Sequence, residues 1–424
     1  MTIKKMKLKS LFSFLSIFTL FNLNAQVAID CSSHRFDQEV FQAFNVTSNI
    51  SYGSNTDVNN NVLTLKLDLY EPAGDTLSMR PLIVWVHGGS FVGGTKNDID
   101  VVTLCQHFAK RGYVCVSIDY RLGFSVFPPD SKAATESVIR AMQDMKAAIR
   151  FFRKDAATVN TYRINPSLIF GGGSSAGAFT ALHAAYLNEP SEIPTEIDTL
   201  VVGGIEGNSG NLGYSSDLNA VIDLCGALGN KTWIHSGDIP FVAMHGDQDG
   251  TVPYATATIY LLGTFPVAIV DGSYSISDYA NSIGLPNEMY TFYGADHVPY
   301  AYNSSYMDTT VRFVSNFLYR HLGCNPSDPT PLANTFTTGI NDEISLKNLS
   351  VYPNPGNGIF KFKMPENKKS FHLSIFDVDG RKIIDLNNFG QDQSLDMSSF
   401  NPGVYFYKME IINAVYSGKL FIEH

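Results

Sequence analysis

An apolar run, Leu168–Phe170, gives way to Gly173-Ser174-Ser175-Ala176-Gly177 and then to a helical segment over Ala178–Tyr186. Few features constrain a fold more. A buried strand must reverse into a helix within a handful of residues, and the flanking glycines leave room for the backbone to do so. The turn lifts the central residue, Ser175, clear of the sheet and sets it at a helix N-terminus, where negative charge is favoured. Ser174 falls one position short of the motif centre. Such an element needs a sheet with helices packed on it, which points to an α/β domain with Ser175 as a candidate nucleophile.

The neighbouring sequence is consistent with that sheet. Val62–Tyr70 alternates with period two, the mark of a strand with one wet face. Leu82–Val86, Tyr113–Ile118, Leu200–Val202, Phe241–Met244 and Met289–Phe292 are short and largely apolar, like strands buried on both faces of a parallel sheet. Between them, Ala134, Val138, Ala141, Met145, Ala148 and Phe152 recur at helical steps. Arg140 and Asp144, four apart on that helix, read as a surface ion pair. Strands alternating with amphipathic helices give a doubly wound, mostly parallel α/β sheet.

Three further strand ends carry polar groups. His87-Gly88-Gly89-Ser90 follows Leu82–Val86, and such a turn supplies backbone N–H donors from Gly89 and Ser90; with the Ala176 N–H these would form an oxyanion hole. Asp249, in the loop after Phe241–Met244, can orient a histidine, and His297 follows Met289–Phe292. The chain order Ser175, Asp249, His297 is the Ser…Asp…His order of a nucleophile–base–acid triad on this kind of sheet. His87 and His245 read as structural hydrogen-bonders within glycine turns, and His34, His107, His183, His235, His321, His372 and His424 have no companion motif.

Net charge is −10 and no basic stripe occurs, so nucleic acid is not an expected partner. Lys4, Lys5, Lys7 and Lys9 precede an apolar run, Leu11–Leu23, and a small residue, Ala25, which reads as a secretory signal over residues 1–25. The run is short for a stable membrane span, although an uncleaved anchor is the rival reading. Export permits disulfides. A bridge between Cys31 and Cys324 would tie both ends of a domain over 26–324, while Cys105 and Cys115 suit buried thiols. No CxxC or His/Cys cluster suggests a metal, and no cofactor is called for. After Cys324, a polar, Pro-containing stretch over 325–345 reads as a linker. From 346 to 424 the pattern is all β: Phe360–Lys363, Leu373–Phe376, Val404–Tyr407 and Lys419–Ile422 suit the strands of a small sandwich, with Asp379-Gly380 as a hairpin turn.

Taken together, the motifs at 87–90, 173–177, 245–253 and 293–297 resemble the α/β-hydrolase superfamily, in particular its secreted bacterial carboxylesterase and feruloyl-esterase-like branch. The resemblance implies a serine carboxylesterase acting on small or polymer-linked esters, with Asp249 rather than Asp247 as the triad acid because it stands three residues before Val252-Pro253. Ser90 departs from the third glycine of many relatives, and Glu206–Asn211 also matches the branch without a role of its own. Loops at 122–132 and 188–217 are expected to wall the pocket, with Phe124, Phe127 and Tyr214 as candidate lining. No apolar helix long enough to act as a lid stands between Ser175 and His297, so short or aromatic acyl groups are expected. The rival readings are a serine peptidase of the prolyl-oligopeptidase kind and a non-catalytic surface-binding protein. Val351-Tyr352-Pro353-Asn354-Pro355, Gly358, Asp379-Gly380 and Asn401-Pro402-Gly403-Val404-Tyr405 resemble the type IX secretion sorting domain. That likeness implies the type IX machinery as a partner, and a secreted or cell-surface location in a Gram-negative bacterium.

Overall fold

The computed structural model describes residues 29–124, 130–198, 202–261, 265–326, 350–363, 370–377, 382–390, 393–411 and 414–423. The signal reading over 1–25, nearly all of the 325–345 linker, Phe127, His424 and the Asp379-Gly380 turn lie outside them. The chain divides into two units, Met1–Thr335 and Phe336–His424.

The first unit holds strands β1 (Phe44–Thr56), β2 (Val62–Pro72), β3 (Arg80–Val86), β4 (Val114–Ile118), β5 (Ile164–Ser174), β6 (Ala220–Leu224), β7 (Ala227–Leu228), β8 (Phe241–Gly246), β9 (Thr256–Leu261), β10 (Phe265–Gly272) and β11 (Asn287–Phe292). Its helices are α1 (Ile99–Lys110), α2 (Ser131–Ala157), α3 (Ala176–Tyr186), α4 (Ser273–Ser282) and α5 (Ser304–His321). The main sheet has eight strands in the order β1-β2-β4-β3-β5-β6-β8-β11. β1 and β2 run antiparallel to their neighbours, and β4, β3, β5, β6, β8 and β11 are parallel to one another.

Alternation along the central strands explains why both faces are covered. Leu82, Val84 and Val86 join α2, α3 and α4 in one core, while Ile83 and Trp85 point the other way and pack with α1 and α5. A strand buried on both sides has no place for polar side chains, hence the apolar runs. Parallel registry brings the C-terminal ends of β3, β5, β6, β8 and β11 to one edge, where ligands bind in open α/β sheets.

Two expectations need correction. Leu200 and Val201 lie outside the described residues, and Val202 stands in a helical turn, its N–H bonded to the Asp198 carbonyl. The strand between β5 and β8 is instead Ala220–Leu224, whose apolar signal is interrupted by the fully buried Asp223. Nor do Arg140 and Asp144 form a surface pair. Asp144 is fully buried and takes hydrogen bonds from the Arg121 backbone and side chain and from Ser209 Oγ, whereas Arg140 pairs with Glu136 at 3.7 Å. The helix face that carries Asp144 turns inward, and the loop after β4 delivers the partner. The 206–211 loop is held by the same helix and by β1: Arg150 and Lys146 both reach Glu206, and Ser209 and Asn208 accept from Asn55 on β1.

Cys31 and Cys324 form a disulfide with a Cα–Cα distance of 5.4 Å, and the Tyr319 hydroxyl donates to the Cys31 carbonyl. Cys105, Cys115 and Cys225 are free and buried. Because the bond closes a loop of 293 residues, its removal by Cys31→Ser with Cys324→Ser is expected to lower stability by roughly 2–5 kcal/mol. Thermal melts of the oxidised protein and the double variant measure this; superimposable melts would show that the bond contributes nothing.

The second unit pairs β12 (Ser350–Tyr352), β13 (Ile359–Lys363) and β16 (Ser394–Asp396) in one antiparallel sheet, and β14 (Ser370–Phe376), β15 (Lys382–Gly390), β17 (Gly403–Ile411) and β18 (Ala414–Ile422) in another. Phe360, Phe362, Leu373, Ile375, Met409 and Leu420 fill its core. Tyr407 is buried there and Tyr405 packs against it, while Tyr352 is half-exposed.

Candidate active site

The serine is set by backbone geometry first. Ser175 links β5 to α3 with φ 55° and ψ −119°, a region that costs a non-glycine residue about 1–3 kcal/mol and persists only when its surroundings enforce it. Here the Ser175 N–H donates to the Leu224 carbonyl of β6 at 2.9 Å, and its own carbonyl accepts from Ala178 and Phe179. A side chain at Gly173 would strike the Gly177 backbone, and one at Gly177 would strike the Val86 carbonyl. The result is a serine hydroxyl that opens onto a cavity. Ser174 faces the other way, bonded to the Tyr300 hydroxyl at 2.7 Å and buried.

His297 Nε2 lies 2.8 Å from Ser175 Oγ, and His297 Nδ1 lies 2.6 Å from Asp249 Oδ2. A carboxylate can only accept, so Nδ1 carries the hydrogen and Nε2 offers a lone pair to the serine hydroxyl. Asp249 is held by four N–H donors: Thr251 and Val252 on Oδ1, His297 and His245 on Oδ2. Burial opposes its charge, but the bonds from His245 and His297 win and hold its carboxyl well below the usual carboxylate range. Asp247 bonds the Gly294 N–H and Asp296 bonds the Gly250 and His297 N–H groups, so these two acids lace the β8 and β11 loops together.

Behind Asp249 lies a chain that motif reading missed. His245 Nε2 is 3.1 Å from Asp249 Oδ2, its Nδ1 is 2.7 Å from Ser273 Oγ, and Ser273 Oγ is 2.6 Å from Asp223 Oδ2. Asp223 and His245 are fully buried. The Ser273 hydroxyl supplies one of the two hydrogens that these contacts need, and the other comes from His245 or Asp223. Burial pushes the Asp223 carboxyl up. The only signal in sequence was an acid amid the apolar β6.

The glycine turn after β3 sits beside the serine: a side chain at Gly88 would approach Ser174 O at 3.2 Å and Ser175 Cβ at 3.3 Å. Gly89, Ser90 and Phe91 all have positive φ, and Val92 and Gly93 both donate to the Gly89 carbonyl. Ala176 opens α3, so its N–H has no acceptor within the helix. His87 donates through Nδ1 to the Gly88 carbonyl and stacks on Tyr120 at 4.5 Å, which fixes the turn.

Cys225, Asp249 and His297 place potential metal-ligating atoms within 4.8 Å of one another. They do not fit a metal. Asp249 is already fully hydrogen-bonded, His297 Nδ1 carries its hydrogen toward it, and burial raises the Cys225 thiol, keeping it protonated.

The cavity at Ser175 has a volume of about 420 Å³. One wall is the α3 face of Phe179, His183 and Leu187; another is β10, which pairs with β9 as a hairpin. This hairpin, with no counterpart in the sequence reading, covers one side of the site. Phe124 lines the cavity and Tyr214 does not.

Comparison with known families shows what the chain is similar to. Residues 67–233, within the first unit, match the BD-FAE family model. Residues 350–423 match the Secretion system C-terminal sorting domain, which places that domain in the second unit. The BD-FAE match contains Gly89, Ser90, Ser175 and Ala176 and stops short of Asp249 and His297. Among curated proteins, the chain is 33% identical to carboxylesterase 1D of Mus musculus over 27% of its own length and 20% of that protein's. It is 31% identical to esterase LipC of Mycobacterium tuberculosis over 33% of each. The chain thus spans a third or less of these relatives. Thermogutta terrifontis esterase 2 in its apo form superposes with a TM-score of 0.45 at 24% identity, covering 66% of this chain and 95% of that one. Among the described residues no helix is long and apolar enough to cross a membrane.

One titration in the first unit has a consequence for stability. Burial lowers the His183 pKa to about 4. Above pH 6.5 neither folded nor unfolded chain protonates this group. Below it the unfolded chain takes up a proton that the folded one refuses until about pH 4. Stability therefore falls with pH across that window, by about 3 kcal/mol from this group. Denaturant midpoints at pH 7 and pH 4.5, compared between the native chain and His183→Phe, are expected to show a smaller acid loss in the variant; equal losses would assign the effect elsewhere.

Proposed function

We propose that the chain is a secreted serine carboxylesterase. The observation that supports this most is the run of short distances from Ser175 through His297 to Asp249, at the floor of a largely apolar cavity. In this reading His297 Nε2 takes the Ser175 proton as Oγ bonds to the ester carbonyl carbon, and the carbonyl electrons move onto oxygen. The N–H groups of Gly89, Ser90 and Ala176 receive that charge. The oxyanion then collapses, the C–O bond to the alcohol breaks, and His297 returns its proton to the departing oxygen. Water repeats the sequence on the acyl-enzyme and frees the acid and Ser175. Asp249 keeps Nδ1 protonated and stabilises the imidazolium.

The remaining segments fit export. Residues 1–25 would be a signal peptide removed after translocation, 26–324 the catalytic domain, 325–345 a linker, and 346–424 the domain recognised by type IX secretion machinery in a Gram-negative bacterium. The second unit has its own core.

The test uses the mature full-length protein and a form ending at residue 345, each offered acetate, butyrate, arylpropanoate and long-chain esters, and a proline peptide amide. Short and aromatic esters should be turned over, at equal rates by both forms. Faster cleavage of the peptide, or an optimum at long chains, would reject the carboxylesterase reading. Loss of activity on truncation would reject the division of labour.

A further inference from the structure

His183 stands eight residues beyond Ser175, on the face of α3 that also presents Phe179 and Leu187 to the cavity. At 1.5 Å per residue, that is about 12 Å along the helix, the depth of an extended group several bonds long. The ring is fixed in one tautomer. Its Nδ1 is 2.8 Å from the Phe179 carbonyl, which can only accept, so Nδ1 holds the hydrogen and Nε2 presents a lone pair. With a pKa near 4 the ring stays neutral around pH 7, and Nε2 remains an acceptor.

No protein group among the described residues bonds to Nε2. Gly229, another cavity residue, lies beside it: an added methyl group would strike the Trp233 ring at 2.6 Å and stand 3.4 Å from Nε2, so glycine here lets Trp233 close over one side of the imidazole. Phe179 lies parallel to the imidazole at 6.2 Å between centroids, and Trp233 meets its edge at 5.7 Å. An acceptor aimed into apolar surroundings is unfavourable unless the occupant supplies a donor, and a site built this way discriminates strongly against an occupant that lacks one.

We propose that His183 is a specificity-determining residue, whose Nε2 accepts a hydrogen bond from a hydroxyl or N–H at the far end of the ester group that fills the cavity. The inference rests on the carboxylesterase reading and narrows its substrates to esters with a distal donor on either the acyl or the alcohol side.

Two matched pairs of substrates test it and separate the sides: methyl 3-(4-hydroxyphenyl)propanoate against methyl 3-phenylpropanoate, and 2-(4-hydroxyphenyl)ethyl acetate against 2-phenylethyl acetate. In one pair the hydroxyl is expected to raise kcat/KM by about tenfold or more, mostly through KM. His183→Phe should bring that ratio to within about twofold of one, and His183→Gln, which retains an acceptor, should keep part of it. The ratio is independent of how much variant folds. Ester turnover with no hydroxyl preference in either pair, or a preference that persists in His183→Phe, would overturn this proposal alone. Turnover of none of the four would overturn the hydrolase reading and this proposal with it.

Discussion

Ser175→Ala is expected to lower kcat on a short-chain ester by about 10⁴- to 10⁶-fold, because nucleophile and base act as one unit and what remains is binding and oxyanion stabilisation. Ser174→Ala is the matched control. Ser174 bonds Tyr300, and Tyr300 also donates to the Leu224 carbonyl, so the control should lose some stability and keep kcat within about tenfold. Single-turnover kinetics on both variants decide the matter. A collapse of activity in Ser174→Ala with survival of Ser175→Ala would reassign the nucleophile.

Asp249→Asn should lower kcat by about 10⁴-fold, since an amide oriented to bond His297 through its NH₂ group selects the wrong tautomer. The substitution does more here than swap one bond. The carboxylate accepts from Thr251, Val252, His245 and His297, and an amide offers one oxygen for all of them. Stability should fall as well. A carboxyl held below its unfolded value stabilises the fold above the unfolded pKa, and that stabilisation is lost as pH drops through the folded one. Asp247→Asn keeps an oxygen for the Gly294 N–H and should cost less than tenfold in kcat. Equal losses in the two variants would remove Asp249 from the triad.

Where local backbone demand and function coincide, sequence is easy to read. Gly173, Ser175 and Gly177 are required by the turn itself, so β5, α3 and the serine emerge together. Elements whose logic is tertiary are hidden. β6 looks weak because Asp223 interrupts it, and Asp223 makes sense only once Ser273 and His245 are known to meet it. The spacing of Arg140 and Asp144 suits a surface pair, yet Arg121 arrives from the loop after β4 and captures the acid. β9 and β10 show no clean period-two pattern, because consecutive residues from Val267 to Val270 line the cavity and Ile269 does so while 69% exposed. His183 carried no motif, and its two different nitrogens follow only from its place in the helix.

The bond between Cys31 and Cys324 also sets how the first unit meets mechanical force. With the Cα atoms of its two ends 5.4 Å apart, a pull applied to the chain on either side of the pair passes from one cysteine to the other through the sulfur bridge. The intervening fold is a closed loop that sees almost none of that tension. A polypeptide drawn through a narrow channel by one end would, in its oxidised state, arrive as a folded body rather than unravel from its terminal helix, and the channel would have to be wide enough to admit it whole.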